Sequence, residues 1–358
     1  MFSLYQRVVA LLSLVACGVP TEHVPTAAPS ATMPGPAPVQ REGDAVARND
    51  ECVACHADIA AEWQSSLHRE AFTSREFQHA LRREPLAFCR GCHAPEADPR
   101  RPEPALAAIG VACVTCHVPA GDAVLSARAA DAPQAAAHAV LRAPAFAGPG
   151  ACAGCHEFSF PDRRPVPESM QTTISEHARS PLKGRSCADC HMPRAADGHR
   201  SHAFLASRDD AWMRGVVTVQ ATRPAADRIE LTLDLHDDQV GHAFPTGDLL
   251  RRLTVQVKGE GAGRRPQRRY LARHWRMTRL GKGPAVQSEV GDDRLGVGED
   301  PRVLVFELGP EDAIATVRWR VDYERVESFV GATEDGAVVV GGITLAEGAL
   351  PVPAAGGP

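Results

Sequence analysis

Two patterns of apolar and polar residues divide the chain. From Val216 onward apolar positions alternate with polar ones. The alternating runs are Val216 to Thr222, Arg228 to His236, Arg251 to Lys258, Arg268 to Met277, Arg302 to Leu308, Ile314 to Tyr323 and Ala337 to Leu345. A period of two predicts strands with one face buried, and seven short strands joined by Gly-, Pro- and Asp-rich turns predict an all-β sandwich. From about Asn49 to Trp212 no such alternation exists. Its clearest periodic stretch is His56 to His68, where Ile59, Trp63 and Leu67 recur at helical spacing. Thr172 to Ser180 predicts a further short helix, and Pro161 to Pro167 a loop. Near the N-terminus, Arg7 precedes an apolar run from Val8 to Ala16, and residues 18–48 are rich in Pro, Ala and Thr.

Cysteine usage changes this picture. The phrase Cys-x-x-Cys-His occurs five times, as Cys52/Cys55/His56, Cys89/Cys92/His93, Cys113/Cys116/His117, Cys152/Cys155/His156 and Cys187/Cys190/His191. It is the attachment signature of c-type haem: two thiols bond the porphyrin's vinyl groups and the adjoining imidazole becomes the proximal iron ligand. Structural zinc also uses Cys-x-x-Cys pairs, but two pairs then close one tetrahedral site and no histidine is required after each. The expected cofactor is therefore haem c, five copies covalently attached. The motif starts are 37, 24, 39 and 35 residues apart. Segments that short cannot build five separate cores, so the porphyrins must supply most of the buried apolar surface. The low aromatic share, 5%, agrees.

Ten of the eleven cysteines are used by the motifs, which leaves no pair for a disulfide. The eleventh, Cys17, closes Leu14-Val15-Ala16-Cys17, which resembles a bacterial lipobox, so residues 1–17 read as a lipoprotein signal with lipid on Cys17. An ordinary signal peptide with an incidental cysteine is the alternative. Nine apolar residues are too few to span a bilayer. Residues 18–48 cannot bury enough surface to order themselves and read as a disordered tether. The chain is then an exported bacterial lipoprotein on the periplasmic face of a membrane, and Gly18 after the cysteine favours the outer membrane. A formal charge of −5 gives no sign of nucleic-acid binding.

The pattern Cys-x-x-Cys-His followed by Ile59, Trp63, Ser66 and His68, together with Gly110-Val111-Ala112 before Cys113, resembles the cytochrome c-554 family of multihaem electron carriers. The resemblance covers the first four motifs. The fifth, Cys190-His191-Met192-Pro193, departs from the four-haem pattern and is similar to other multihaem cytochromes. What the resemblance implies is a distal iron ligand at His68. The two patterns along the chain give the expected fold class: a mainly helical and irregular multihaem cytochrome c domain at 49–212, an immunoglobulin-like sandwich at 213–347, of the kind the resemblance implies is often appended, and a flexible tail at 348–358. The phrase from Gly241 to Gly247, Gly-His-Ala-Phe-Pro-Thr-Gly, resembles a linking element of such proteins.

Each motif fixes one face of an iron, and ten histidines remain for the other faces. A second imidazole gives a low-spin haem that shuttles single electrons, and an empty face gives a site for a small molecule. Candidate distal ligands are His68, His138, His202, His242 and His177, with His79 and His199 behind them. His236 and His274 lie at or within a strand and read as structural, and His23 lies in the tether. The expected function is electron transfer between redox partner proteins through closely packed, mostly bis-histidine haems. The alternative is an oxidoreductase of nitrogen or sulfur oxyanions with one five-coordinate haem.

Overall fold

The computed structural model describes residues 43–127, 138–160, 168–261, 263–279, 285–330 and 333–354. The signal with Cys17, most of the tether, the loop at 161–167, most of the alanine-rich stretch before His138 and residues 355–358 lie outside the described residues.

The described chain opens with α1 (Ala45–Cys55), whose N-cap Asp44 accepts the N–H of Val46 at 2.7 Å and of Ala47 at 3.3 Å. A capped helix thus takes in the last four residues of the expected tether, 45–48. It is followed by α2 (Ala57–Gln64), α3 (Arg75–Arg83), α4 (Ala87–His93), α5 (Pro104–Ala108) and α6 (Cys113–His117). After these come α7 (Gly150–His156), α8 (Thr173–Arg179), α9 (Cys187–His191) and α10 (Asp210–Arg214). Helix α2 stops short of the expected His68, because Ser66 donates its hydroxyl to the Trp63 carbonyl and accepts the Arg69 N–H, turning the chain. Two small ladders interrupt the helices: β1 (Val124–Ser126) with β2 (Val140–Arg142), parallel, and β3 (Glu157–Ser159) with β4 (Ser169–Thr172), antiparallel.

Every Cys-x-x-Cys pair occupies the last turn of a short helix: α1, α4, α6, α7 or α9. One helical turn separates the two thiols, and the histidine falls at the helix end. Packing in this region is sparse. Six buried residues cluster around Trp63, and three alanines, Ala94, Ala97 and Ala107, form a second patch. No helix among the described residues is long and apolar enough to cross a membrane.

Beyond α10 the chain forms two antiparallel sheets. One has the order β10 (Arg302–Glu307), β6 (Arg228–Leu235), β5 (Val217–Ala225); the other runs β12 (Ala337–Leu350), β11 (Val317–Phe329), β7 (Arg251–Gly259), β8 (Gln267–Arg279), β9 (Ala285–Asp292). Ile229, Leu231, Leu233 and Phe306 from the first sheet share one core with Leu253, Val255, Val257, Val321 and Tyr323 from the second. That core holds twenty buried residues, so this half folds around its own side chains. The alternation in the sequence matches the faces: on β6, positions 229, 231 and 233 are buried and their neighbours are not. Three differences stand out. Strand β9 has no counterpart among the seven predicted runs, β12 continues through residues 348–350 where a tail was expected, and the expected boundary at 212/213 falls inside α10. Met213 of that helix belongs to the sandwich core, and Trp212 packs against it.

Candidate functional site

All ten motif cysteines and all five motif histidines line one connected cavity of about 3160 Å³. A single-ligand pocket reaches about 1,000 Å³, so this space takes several cofactor-sized groups. Its walls also carry Ile59, Trp63 and Leu67, the residues that recur at helical spacing after the first motif.

Imidazoles face one another across this cavity in four pairs. Ring centroids are 6.2 Å apart for His56 and His138, 6.3 Å for His156 and His68, 6.0 Å for His117 and His202, and 6.2 Å for His191 and His242. A first-row metal held between two trans imidazoles at about 2.0–2.1 Å per nitrogen sets the centroids roughly 6.3 Å apart. Each pair joins one motif histidine to one from outside the motifs. Among the described residues no three His, Cys, Asp or Glu side chains converge on one metal-sized point. The donor set therefore fits haem iron taken between two faces.

Hydrogen bonding fixes which nitrogen is available. The Nδ1–H of His93 donates to the Ala71 carbonyl at 2.7 Å, that of His117 to Leu125 at 2.9 Å and that of His191 to Leu205 at 2.7 Å. His202 and His242 do the same toward Arg200, at 2.8 Å, and Ala243, at 3.1 Å. With the proton on Nδ1, the Nε2 lone pair is left for a metal. Burial pushes His68 and His242 down to about 4, and lowers His93, His117, His156 and His202 as well, so these rings are neutral at pH 7. His68 keeps a buried Nδ1 with no hydrogen-bond partner, an orphan that suits a ring meant for another bond.

Three other histidines spend both nitrogens elsewhere. His199 bonds Asp197 through Nδ1 and Glu62 through Nε2; His236 bonds the Gly215 carbonyl and Thr218; His274 bonds Glu334 and Asp293. His79 is engaged by Glu327. His177 packs on Gly241, where a Cβ would come within 2.8 Å of its ring, so it buttresses the loop that carries His242.

The second motif differs. Its His93 has Phe77 of α3 stacked flat on the ring at 3.9 Å, and among the described residues no imidazole stands opposite it. The carboxylate of Asp248, from the loop after Gly247, acts electrostatically on both His93 and Cys89.

Thiols of different motifs are also neighbours. Cys52 lies within hydrogen-bond reach of Cys113, Cys92 of Cys155, and Cys152 of Cys187, while Cys116 and Cys155 interact electrostatically. The fourth motif therefore adjoins the second, third and fifth. Sequence reading missed the carboxylates that hold the ligand-bearing loops. Glu62 accepts the His202 N–H at 2.8 Å, and Glu176 the Ala243 N–H at 3.1 Å.

Residues 51–118, which hold the first three motifs, match the family model described as cytochrome c554 and c-prime. A solved structure, a penta-heme cytochrome c552 from Thermochromatium tepidum, is similar with a TM-score of 0.61 at 20% identity, over 84% of this chain and 98% of that one. At that identity the likeness shows the fold. No curated protein matches. With five Cys-x-x-Cys-His motifs around one cavity, the chain is a multihaem c-type cytochrome resembling the cytochrome c554 family.

Proposed function

We propose that the chain is a five-haem electron relay in which four irons are closed by two imidazoles and the fifth is open. The observation that carries this reading is the set of four imidazole pairs at one common spacing. In it, His138 serves the first motif, His202 the third, His68 the fourth and His242 the fifth. His177 is left out. Haem iron supplies a one-electron ferric/ferrous couple. The protein's own residues set the conditions for it. At four of the five centres a pair of imidazoles would hold the iron closed to substrate. The neighbouring thiols bring the attachment edges of successive groups together, and the apolar walls keep water out.

The haem region to about residue 212 carries the relay, and the sandwich, read as immunoglobulin-like from its two antiparallel sheets, supports it. Covalent haem attachment places the protein outside the cytoplasm. The lipobox-like segment supports a membrane tether at Cys17, and redox proteins are the partners on either side.

A second reading is favoured at one place. With Phe77 flanking His93 and, among the described residues, no imidazole opposite, the second motif's iron would offer a position for a small ligand, with Asp248 acting on His93 electrostatically. This is the chemistry of an oxidoreductase.

Electron paramagnetic resonance of oxidised holoprotein extracted from membranes tests both readings. Four low-spin centres and one high-spin ferric signal are expected, with one carbon monoxide bound per reduced chain. Five low-spin centres would remove the open site, and two or more high-spin centres would sink the pairing. A high-spin signal that responds to nitrite or hydroxylamine favours the enzyme; an inert one favours the relay alone. Recovery of the protein from the soluble fraction would remove the lipid anchor.

A further inference from the structure

The fifth motif's second imidazole does not come from the haem region. His242 lies in the loop between β6 and β7, within the sandwich half of the chain. Something must hold that loop against a group attached far away in sequence. The loop is gripped from both sides. On the haem side, Glu176 of α8 accepts the Ala243 N–H through Oε2 at 3.1 Å, and its Oε1 accepts the Thr172 hydroxyl at 2.6 Å. On the sandwich side, Arg294 donates to the same Oε1 at 2.7 Å, to Asp292 at 2.9 and 2.8 Å and to the Pro245 carbonyl at 3.3 Å. The Glu176 and Arg294 side chains are only 10% and 6% exposed. Beside them, Phe244 exchanges two backbone hydrogen bonds with Leu295, both 2.9 Å.

Ala243 is the point where this grip reaches the ligand. Glu176 fixes its N–H, which belongs to the peptide joining it to His242, and its carbonyl accepts the His242 Nδ1–H. Peptide orientation and ring tautomer are thus set at one residue.

We infer that Glu176 and Arg294 are positioning residues that act through Ala243, locking His242 opposite His191, so that coordination at the fifth motif depends on the sandwich being docked on α8. This rests on His242 being the second ligand of that centre. Opening the lock converts the His191 centre from closed to ligand-accepting without touching a cysteine or an iron-binding nitrogen.

Removing one member of a buried ion pair strands the other charge and threatens folding, whereas replacing both by apolar residues of similar size is tolerated. The test is therefore the double variant Glu176→Leu/Arg294→Met as holoprotein, beside His242→Ala and the charge-conserving Arg294→Lys. Unchanged haem content is expected in the double variant, with one more carbon monoxide bound per reduced chain than the parent and a second high-spin ferric signal. Arg294→Lys should keep the parent spectrum. The milder Asp292→Asn, which loosens Arg294 while the pair stays, should bind carbon monoxide at the His191 centre roughly 10-fold faster, at the low end of what outer partners of a metal ligand are worth. If His242→Ala gains the extra site while the double variant and Asp292→Asn behave as the parent, the lock is overturned and the ligand assignment stands. If His242→Ala gains nothing, the assignment fails and the lock with it.

Discussion

Gly110 shows how one residue can govern a centre it never touches. Its φ is +63°, and a Cβ built there would lie 2.5 Å from the Arg69 carbonyl oxygen and 2.6 Å from that of His68. The next residue, Val111, donates its N–H to the His68 carbonyl at 2.9 Å. Glycine is therefore what lets the segment before α6 lie directly on the backbone that carries His68. Alanine would pay about 1–2 kcal/mol for the left-handed conformation alone, and two carbonyls would have to move besides. Gly110→Ala should displace the His68 ring from His156 and weaken the low-spin signal of the fourth motif, leaving those of the first and fifth unchanged. Unaltered spectra would mean that the contact carries no positional information. The Gly-Val-Ala-Cys phrase was visible in the sequence as a resemblance; its reason, a close approach to a residue 42 positions earlier, needed the fold.

Among the elements, the helix ends and the alternating strands were legible, because Cys-x-x-Cys-His requires a helical turn and period-two burial leaves its mark on β5 and β6. Strand β9 was not. Ala-Val-Gln-Ser-Glu-Val-Gly-Asp lacks steady alternation, and it is a strand because it pairs with β8 at the sheet edge. Which candidate histidine faces which motif was equally hidden, since facing across a cavity leaves no local pattern. His177 had the right surroundings in sequence yet packs on Gly241. His274 on β8 carries a different consequence. It donates to Asp293 at 2.9 Å and to Glu334 at 3.1 Å, and these carboxylates, Asp293 foremost, raise it to about 10. The folded value lies above that of the unfolded chain, about 6.5. Its contribution to stability is thus fully present below about pH 6.5 and is lost as the pH rises through about 10. The melting temperature of the β-signal should fall between pH 6.5 and 10, and His274→Gln should flatten that fall. An unchanged slope in the variant would assign the pH dependence to other groups.

At the scale of the molecule, the two halves are held together by different means. Twenty buried side chains form one core between the sheets, whereas the haem region offers six around Trp63 and three alanines. Apolar burial supplies most of the driving force for folding, so the second region depends on its covalent porphyrins. Haem-free protein should keep its β circular dichroism with a cooperative melt and lose the helical signal of residues 43–208. A native-like helical spectrum without haem would show that the sparse packing suffices.

The imidazole pairing also sets a chronology. A polypeptide is made N-terminus first, so His156 meets a His68 that already exists, while His56 must wait for His138, His117 for His202 and His191 for His242. The last appointment falls beyond the last cysteine. A nascent chain can thus be fully furnished with thiols and still have two of the proposed pairs unfinished, that of His117 until His202 is made and that of His191 until the loop after β6 follows.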